Sequence, residues 1–499
     1  MKEHLKRLTS ESAYYGISTV GARLLGFLLV PFYTNVLPPS EYGIVITLYS
    51  YLAFLNVAFT WGMEPAFMRY FTDADERGKK ELFSAALWFI AVVSIACTVF
   101  IHIFTTPVAT AASIPIRWEH ILLYGAWTIV LDACNSIPFA LLRMTNKPKV
   151  FAAIRFGSIL LNIALNVYLI VYLGMGIDAV FIAGLLASGL STLFLLPYTI
   201  RQVRFTFPAT TVKKLLAYGV PAVPALLASV TVSAIDKPIL NYLMSPEVVG
   251  VYQANYKLGI FMMLIVSMFQ FAWQPFFLQM KSQPNAKEMF ARVMTYFSLI
   301  AVFVFLVLSF MIDDIVHISI MGRYIIHPDY WGGLGIVPVI LLSYVFTGLY
   351  YISNAGLFIE NRTKYLGIIA GAGAVVNIGA NFLLIPIAGM YGAAVATLAA
   401  YVTMAGLSYI ITQRIYPVRY EFMRLGKIAL AAALCFAAWE YGNIGDYIPE
   451  LLSEVALVAG YIALLWVFRF FSRGELQEIR NLARKITGGV SRRGNQIDN

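Results

Sequence analysis

The sequence predicts an all-α protein that crosses a membrane about fourteen times, and three observations carry this prediction. Only 12% of the 499 residues are charged and 60% are hydrophobic, whereas about a quarter of a soluble domain is charged. Apolar runs of about 20 residues, the length that spans a bilayer as a helix, recur along the chain. Lys and Arg gather in alternate connections between these runs. The sequence lacks the short alternating segments of a membrane β-barrel.

Fourteen apolar runs are long enough to be membrane spans, and we number them 1 to 14. In chain order they lie near residues 12–33, 42–66, 82–104, 119–142, 150–173, 177–200, 215–242, 248–275, 288–311, 332–358, 365–386, 391–413, 425–441 and 451–470. The three cysteines, Cys97, Cys134 and Cys435, fall inside these runs without the spacing of a metal site. This placement favours roles as small buried packing residues.

The basic residues define the topology. Connections on one side of the predicted spans, together with both termini, hold 30 of the 36 Lys and Arg residues, whereas the alternate connections hold only Arg117 and Arg323. The positive-inside rule therefore predicts that both termini are cytoplasmic. The net charge of +10 is thus a topology signal and not a nucleic-acid-binding surface.

One phrase of the sequence occurs twice. The first copy, NKPKVFAAIRFGSILLNIALN, begins at Asn146, and the second, NRTKYLGIIAGAGAVVNIGAN, begins at Asn361. The two copies align residue for residue without a gap. A weaker match aligns SEYG, which ends at Gly43, with PEVVG, which ends at Gly250. The phrases lie in spans 5 and 11, an even number of spans apart, so the copies run in the same direction. Spans 1–6 and 7–12 are therefore predicted to be parallel repeats, as in many transporters.

This repeat sets the predicted domains. Residues 1–205 form one six-helix lobe, residues 206–415 form the second lobe, and residues 416–473 add spans 13 and 14. Residues 474–499 form a basic cytoplasmic tail, which fits either an interfacial helix or a solvated segment. The repeated asparagines, the pairs Asn162/Asn166 and Asn377/Asn381, favour hydrogen bonds that pack helices together.

Charged residues within the spans are the candidates for function. A charge at the centre of a bilayer costs about 2.5–3.5 kcal/mol, so such residues usually face water or a partner inside the bundle. The basic candidates for substrate binding are Arg23, Arg155, Lys237 and Lys257. The acidic candidates, for ion coupling or for ion pairs, are Glu64, Asp132 and Asp236. Two readings stay open: these residues line a cavity, or Asp236 neutralises Lys237 or Lys257 and Asp132 neutralises Arg155.

Helical spacing places further polar residues on the faces of these charges. The faces are Asn56, Thr60 and Glu64 in span 2, Ser229, Ser233 and Asp236 in span 7, and Gln253 with Lys257 in span 8. Spans 1, 2, 7 and 8 are equivalent pairs in the two repeats. We therefore predict that their polar faces enclose a central cavity where the substrate binds. No phosphate-binding loop, metal-ligand motif or cofactor motif accompanies them, so the sequence predicts neither a cofactor nor an enzyme.

The opening YYGISTVGARLLGFLLVPFYTNVLPPSEYGIV and the phrase from Asn361 resemble the bacterial O-antigen-type polysaccharide flippases, often called Wzx. These belong to the multidrug/oligosaccharidyl-lipid/polysaccharide exporter superfamily. The resemblance implies a two-lobed bundle in the bacterial cytoplasmic membrane, whose cationic cavity moves an undecaprenyl-diphosphate-linked oligosaccharide to the outer leaflet for lipopolysaccharide biosynthesis. Because the sequence has no nucleotide-binding motif, either a gradient of H⁺ or Na⁺ or removal of the product by polysaccharide polymerase machinery is expected to give transport its direction.

In related lipid II flippases, two extra C-terminal helices form a groove for the lipid tail, and spans 13 and 14 are candidates for the same role. Charged residues in spans 1, 2, 7 and 8 line the cavity of such relatives. The balance of charge on these spans favours an anionic substrate, because three cations, Arg23, Lys237 and Lys257, outnumber Asp236 and Glu64. The alternatives are an ion-coupled multidrug exporter, which would show the opposite balance, and a lipid II-type flippase.

Overall fold

The computed structural model describes residues 21, 24–205, 208–320, 322–441, 450–471, 474, 475 and 477. Within these residues, eleven helices are long and apolar enough to cross a membrane, and two further apolar helices are shorter. The prediction of an all-α polytopic membrane protein is confirmed. The count of fourteen stays a prediction, because the described residues include only part of predicted span 1. Spans 11 and 12 lie in the segment Lys364–Ile415, which a kink with non-helical backbone angles at Gly389 divides into two helices. The predicted tail helix lies outside the described residues, apart from Gly474, Glu475 and Gln477.

The helices of the first half follow predicted spans 1–6. Their bounds are α1 Leu24–Val36, α2 Pro39–Thr60, α3 Met63–Phe71, α4 Glu76–Ile103, α5 Thr105–Ala111, α6 His120–Met144, α7 Pro148–Val167 and α8 Ile177–Gln202. A 3₁₀ turn, Ile116–Trp118, precedes α6, and a π-helical segment, Tyr168–Tyr172, extends α7.

The helices of the second half follow spans 7–14. Their bounds are α9 Ala209–Ala234, α10 Asp236–Leu243, α11 Pro246–Tyr256, α12 Ile260–Met280, α13 Ala286–His317, α14 Val337–Ser353, α15 Ala355–Ile359, α16 Lys364–Ile415, α17 Phe422–Tyr441 and α18 Glu450–Val467. A 3₁₀ turn, Lys257–Gly259, joins α11 to α12. Strands β1 Ser319–Ile320 and β2 Arg323–Tyr324 pair antiparallel, and a 3₁₀ helix, Pro328–Ile336, leads into α14.

Predicted span 2 is broken in the structure. Trp61 and Gly62 adopt left-handed backbone angles, with φ of 46° and 70°, and separate α2 from α3. The Trp61 N–H still donates to the Val57 carbonyl oxygen at 3.0 Å, which caps the end of α2. Thr60 therefore ends one helix and Glu64 lies in the next. The predicted continuous face through Asn56, Thr60 and Glu64 is wrong because the helical rotation restarts at the break.

The repeated phrase gives the same turn twice. Asn146 and Asn361 both have left-handed backbone angles, with φ of 52° and 53°. In each turn, the N–H of the residue after the asparagine donates to the carbonyl oxygen five positions before it. The bonds are Lys147 N–H to Leu142 O at 2.9 Å and Arg362 N–H to Leu357 O at 2.8 Å. Asparagine tolerates this conformation better than most residues do. The 215-residue repeat is thus visible in the local structure.

The asparagine pairs that follow these turns are also equivalent. Asn166 donates to the carbonyl oxygen of Asn162 at 2.8 Å and to its side chain at 3.2 Å. Asn381 makes the same two bonds to Asn377, at the same distances. Asn166 also accepts a hydrogen bond from the Tyr33 hydroxyl of α1 at 2.8 Å. This contact between helices agrees with the packing role that the sequence favoured.

Two compact units make up the chain. The first comprises residues 1–283 and 312–417, and the second comprises residues 284–311 and 418–499. In the second unit, α13 and α17 share an aromatic cluster in which the Phe305 and Phe436 rings stack with centroids 5.9 Å apart. Thr295 of α13 donates to Glu421 at 2.6 Å. The sequence did not predict that span 9 joins spans 13 and 14, and the lobe boundaries stay a prediction.

In the first unit, α2 and α11 cross at two glycines that the repeat aligns. A Cβ atom at Gly43 would lie 1.7 Å from the Pro246 carbonyl oxygen. A Cβ atom at Gly250 would lie 2.0 Å from the Pro39 carbonyl oxygen. Neither distance leaves room for a side chain, so the two backbones touch directly. Here the equivalent helices of the two predicted repeats meet.

Candidate functional site: a cavity that contains two lysines

A cavity of about 350 Å³ lies in the first unit between α1, α2, α7, α9, α10 and α11. We call it the lysine cavity, because Lys237 and Lys257 are among the residues that line it. The predicted residues Ser233 and Gln253 also line it, as does Asn162. Its described lining contains no carboxylate. Four of the twelve predicted site residues therefore contribute to one cavity.

Lys237 is bound to its neighbour Asp236. The ammonium group donates to both oxygens of Asp236, at 2.8 and 3.0 Å, and to the Ser233 carbonyl oxygen at 2.9 Å. It also lies 4.3 Å from the ring centroid of Tyr256, a cation–π distance. Asp236 in turn accepts from the Tyr252 hydroxyl at 2.7 Å. The three donors of the ammonium group are therefore occupied within the protein.

Both members of this ion pair are buried. Asp236 is 1% exposed and Lys237 is 4% exposed. A buried ion pair of this kind is stable only when its remaining hydrogen-bonding capacity is satisfied, and here Tyr252 and Ser233 satisfy it. The reading in which Asp236 neutralises Lys237 thus agrees with the structure. Lys237 therefore lines the cavity with a side chain whose ammonium group already makes its hydrogen bonds within the protein.

Lys257 is in a different situation. It begins the 3₁₀ turn between α11 and α12 and is exposed. Among the described residues, no carboxylate forms an ion pair with it within 4 Å. The positive charge of Lys237 acts on it repulsively. Within the described part of the chain its ammonium group also makes no hydrogen bond, so Lys257 presents free donors to the cavity.

Gln253 lies close to this charge on the preceding turn of α11. It is 6% exposed, and its side-chain oxygen has no hydrogen-bond partner among the described residues. A buried amide oxygen without a partner is costly unless a ligand or water satisfies it. Gln253 thus adds an unused polar atom to a wall of the lysine cavity.

Glu64, Arg155 and Asp132 lie outside the described lining of the lysine cavity. Glu64 forms an ion pair with Arg143 at the end of α6. The Arg155 guanidinium packs over the Phe139 ring at 4.3 Å and is exposed. Asp132 accepts from the Ser188 hydroxyl at 2.7 Å and has no ion pair with Arg155 within 4 Å. The proposed neutralisation of Arg155 by Asp132 is therefore absent as a direct contact.

The remaining predicted residues are also separate from the cavity lining. Thr60 donates to the Asn56 carbonyl oxygen at 2.8 Å within α2, and neither residue reaches the cavity. Ser229 lines a second cavity, which shares Ser233 with the first. Arg23 lies outside the described residues, so its role stays a prediction.

Tyrosines are the lining residues that sequence reasoning missed. Tyr33 of α1, Tyr42 and Tyr49 of α2 and Tyr256 of α11 all line the cavity. Tyr42 and Tyr49 are seven residues apart, which places them on one helical face. That spacing was visible in the sequence, but an aromatic residue at helical spacing is more often core than site. The tyrosines supply ring faces and hydroxyls around the lysines.

These features define a class: a multi-pass membrane protein in which apolar helices surround a cavity with a polar lining. The chain belongs to the polysaccharide biosynthesis protein family, whose model matches residues 34–324. No curated protein sequence matches the chain. The predicted resemblance to a polysaccharide family is confirmed by this match, and the fold is shared with a lipid II flippase and with MATE family transporters.

Solved structures of low sequence identity share the fold. The lipid II flippase MurJ in an inward closed conformation is 16% identical, with a TM-score of 0.74, over 91% of this chain and 97% of that one. An inward-facing multidrug resistance MATE family transporter of the MOP superfamily is 12% identical, with a TM-score of 0.65, over 79% and 94%. The Vibrio cholerae MATE transporter VcmN in the bent form is 13% identical, with a TM-score of 0.55, over 83% and 96%.

Proposed function

We propose that the protein is a flippase that moves a polyprenyl-diphosphate-linked oligosaccharide, of the undecaprenyl type, across the bacterial cytoplasmic membrane for surface polysaccharide synthesis. The observation that carries this proposal is Lys257, a cation with free donors in a cavity whose described lining has no carboxylate. The family supports a role in polysaccharide biosynthesis. In the predicted topology both termini are cytoplasmic, and transport runs from the inner to the outer leaflet.

The chemistry of a diphosphate suits this site. Its oxygens accept charge-assisted hydrogen bonds, which are shorter and stronger than neutral ones. Lys257 can donate such bonds without losing a partner, whereas Lys237 would first have to leave Asp236. Among the described residues, Lys257 is therefore the primary anion ligand and Lys237 a fixed positive charge behind it. Arg23 of predicted span 1, which lies outside the described residues, remains a candidate anion ligand from the sequence.

Backbone contacts at two levels of the bundle provide a route to alternating access. The first is the crossing at Gly43 and Gly250 near the start of α2 and α11. The second joins Gly62 and Gly219, where a Cβ at Gly219 would lie 2.6 Å from the Trp61 carbonyl oxygen. In the predicted topology the first contact is on the outer side and the second on the inner side. We propose that they separate in turn while the polyprenyl tail stays in lipid.

The free energy that makes transport run in one direction must come from a source other than the conformational cycle itself. An ion gradient or removal of the product by polymerase machinery would supply it, and H⁺ and Na⁺ are both candidates. Asp236 is a poor carrier of a coupling ion because Lys237 and Tyr252 already occupy its oxygens. Glu64 and Asp132 are more accessible, since neither is buried.

Two alternatives share the fold. A multidrug exporter for cations would require an available carboxylate in the cavity, whereas the described lining of the lysine cavity has none and the neighbouring Asp236 is paired with Lys237. A lipid II-type flippase would use the same diphosphate chemistry and differ in the sugar that it carries. The lysine cavity therefore supports an anionic lipid-linked substrate over a cationic drug.

The test compares two lysines in reconstituted vesicles. Lys257→Gln should slow the transbilayer movement of a polyprenyl-diphosphate oligosaccharide by roughly 10- to 150-fold, because one hydrogen bond to a charged group contributes about 1.5–3 kcal/mol. Lys257→Arg should retain part of the rate because it keeps the charge. Lys213→Gln, at an exposed lysine outside the cavity, is the matched control and should match wild type.

The same vesicles separate the alternatives. Uptake of cationic dyes should be absent in the wild type. Wild-type movement of the lipid-linked glycan by the Lys257→Gln variant would remove the main support for the proposal. Dye uptake that survives this substitution would favour the exporter.

A further inference from the structure

A second cavity, which we call the tyrosine pocket, lies beside the lysine cavity in the first compact unit. Its volume is about 350 Å³, and α9, α14 and α16 line it. The polar part of its lining consists of six hydroxyl-bearing residues: Ser229, Ser233, Thr347, Tyr350, Tyr351 and Tyr401. No charged side chain occurs in its described lining. Its chemistry thus differs from that of the lysine cavity.

The geometry points to the tyrosine pocket as the site of a sugar unit of the lipid-linked glycan, an inference that rests on the proposed function. A hydroxyl both donates and accepts hydrogen bonds, as sugar hydroxyls do, so the two kinds of group are complementary. The tyrosine rings add flat apolar surfaces for the C–H faces of a sugar ring. Neutral polar groups in an otherwise apolar pocket fix the orientation of a small ligand.

Other ligands fit less well. A cation or an anion would find no opposite charge in the described lining. A hydrocarbon tail would displace water from the Ser229 hydroxyl and from the free lone pairs of Ser233 and Thr347 without offering them hydrogen bonds, which is unfavourable. A neutral polyhydroxylated group is therefore the chemical class that the lining selects.

Part of this hydrogen-bonding capacity is unused. Ser233 donates to the carbonyl oxygens of Ser229 and Val230, and Thr347 donates to that of Ser343 at 3.0 Å. Both hydroxyls keep lone pairs that can accept from a ligand. Ser229 is exposed, and its side chain makes no hydrogen bond within the described part of the chain. It can both donate and accept.

The two cavities are adjacent because Ser233 lines both. Along the chain Ser233 of α9 lies between Ser229, which lines the tyrosine pocket and not the lysine cavity, and Lys237 of α10, which lines the lysine cavity and not the tyrosine pocket. A substrate with its diphosphate beside Lys257 could therefore place its first sugars among the tyrosines. The arrangement separates charge recognition from sugar recognition.

Binding measurements on the full-length protein test this. The probes are a polyprenyl diphosphate without sugar and a panel of the same lipid carrying one hexose or one N-acetylhexosamine. At least one sugar should tighten binding by about tenfold, the effect of one or two added hydrogen bonds. Ser229→Trp, which fills the pocket, should remove this gain and leave binding of the sugar-free lipid unchanged. Leu226→Trp, at an exposed position on α9 outside both cavities, is the control.

The outcomes are distinct. If no sugar in the panel tightens binding, or if Ser229→Trp keeps the gain, the pocket is not a sugar site. Equal weakening of all probes by Ser229→Trp would likewise overturn the inference. Binding of the sugar-free lipid that does not respond to Lys257→Gln would instead contradict the proposed function, and so the two failures can be told apart.

Discussion

Removing Lys237 should destabilise the protein far more than its single charge suggests. In Lys237→Met, Asp236 remains 1% exposed and keeps only the Tyr252 hydroxyl as a partner. Breaking a buried ion pair by removing one member costs about 3–5 kcal/mol, because an uncompensated charge stays inside. Replacing both members, with Asp236→Asn and Lys237→Met, removes the charge and leaves an amide that Tyr252 can still contact. We expect this double variant to recover at least about 2 kcal/mol.

The assay is denaturant unfolding of the purified protein in detergent, compared across the wild type, both single variants and the double variant. Lys79→Met is the matched control. Lys79 lies 2.8 Å from Glu76, the same distance as in the buried pair, but Glu76 is 85% exposed. Loss of such a surface pair should change the unfolding free energy by less than about 1 kcal/mol.

Two results would refute this reasoning. One is a Lys237→Met variant as stable as the Lys79→Met control, and the other is a double variant no more stable than the single. A transport assay on the same variants then distinguishes a structural role of Asp236 from a role in ion coupling. If Asp236 only neutralises Lys237, the double variant should keep much of its flippase activity. A folded but inactive double variant would assign a coupling role to Asp236.

Three further predictions follow from the backbone and the topology. Gly43→Ala should reduce transport at least about tenfold, because its Cβ blocks the crossing of α2 and α11. Gly189→Ala is the control and should not reduce transport, because that glycine faces open space. Equal transport rates for the two variants would contradict a gating role for the crossing. Asn361→Ala should cost about 1–2 kcal/mol of unfolding free energy at its left-handed backbone, and Asn361→Gly should not. Cysteines placed at Lys79 and Lys281, in a background without native cysteines, should resist an impermeant reagent from outside; labelling would exclude the predicted topology.

The spans and the repeat could be predicted because they depend on local patterns. Apolar runs and alternating basic connections define helices without any tertiary information. The turn at Asn146 recurs at Asn361 because the same short phrase encodes the same left-handed residue. The pairing of Asp236 with Lys237 was likewise open to prediction, since the two are neighbours in sequence.

The rest depends on contacts between distant residues. Glu64 forms its ion pair with Arg143, 79 positions away, and no local pattern indicates that choice. The break at Trp61 places a bulky residue in a left-handed conformation, which propensity disfavours. The tyrosines of the lysine cavity look like core residues in sequence, because the same helical spacing serves both purposes. In the structure that face of α2 lines a cavity, because α1, α7, α9, α10 and α11 surround it.

The most direct measurement of the central claim compares two lipids on the wild-type protein. Both carry the same polyprenyl chain and oligosaccharide, but one has a diphosphate linkage and the other an uncharged linkage. Transbilayer movement in reconstituted vesicles is followed by access of the sugar to an added glycosidase or lectin. We predict that the diphosphate lipid moves at least about tenfold faster, because the lysine cavity binds the charge. Equal rates for the two lipids, or no movement of the diphosphate lipid above empty vesicles, would contradict the claim.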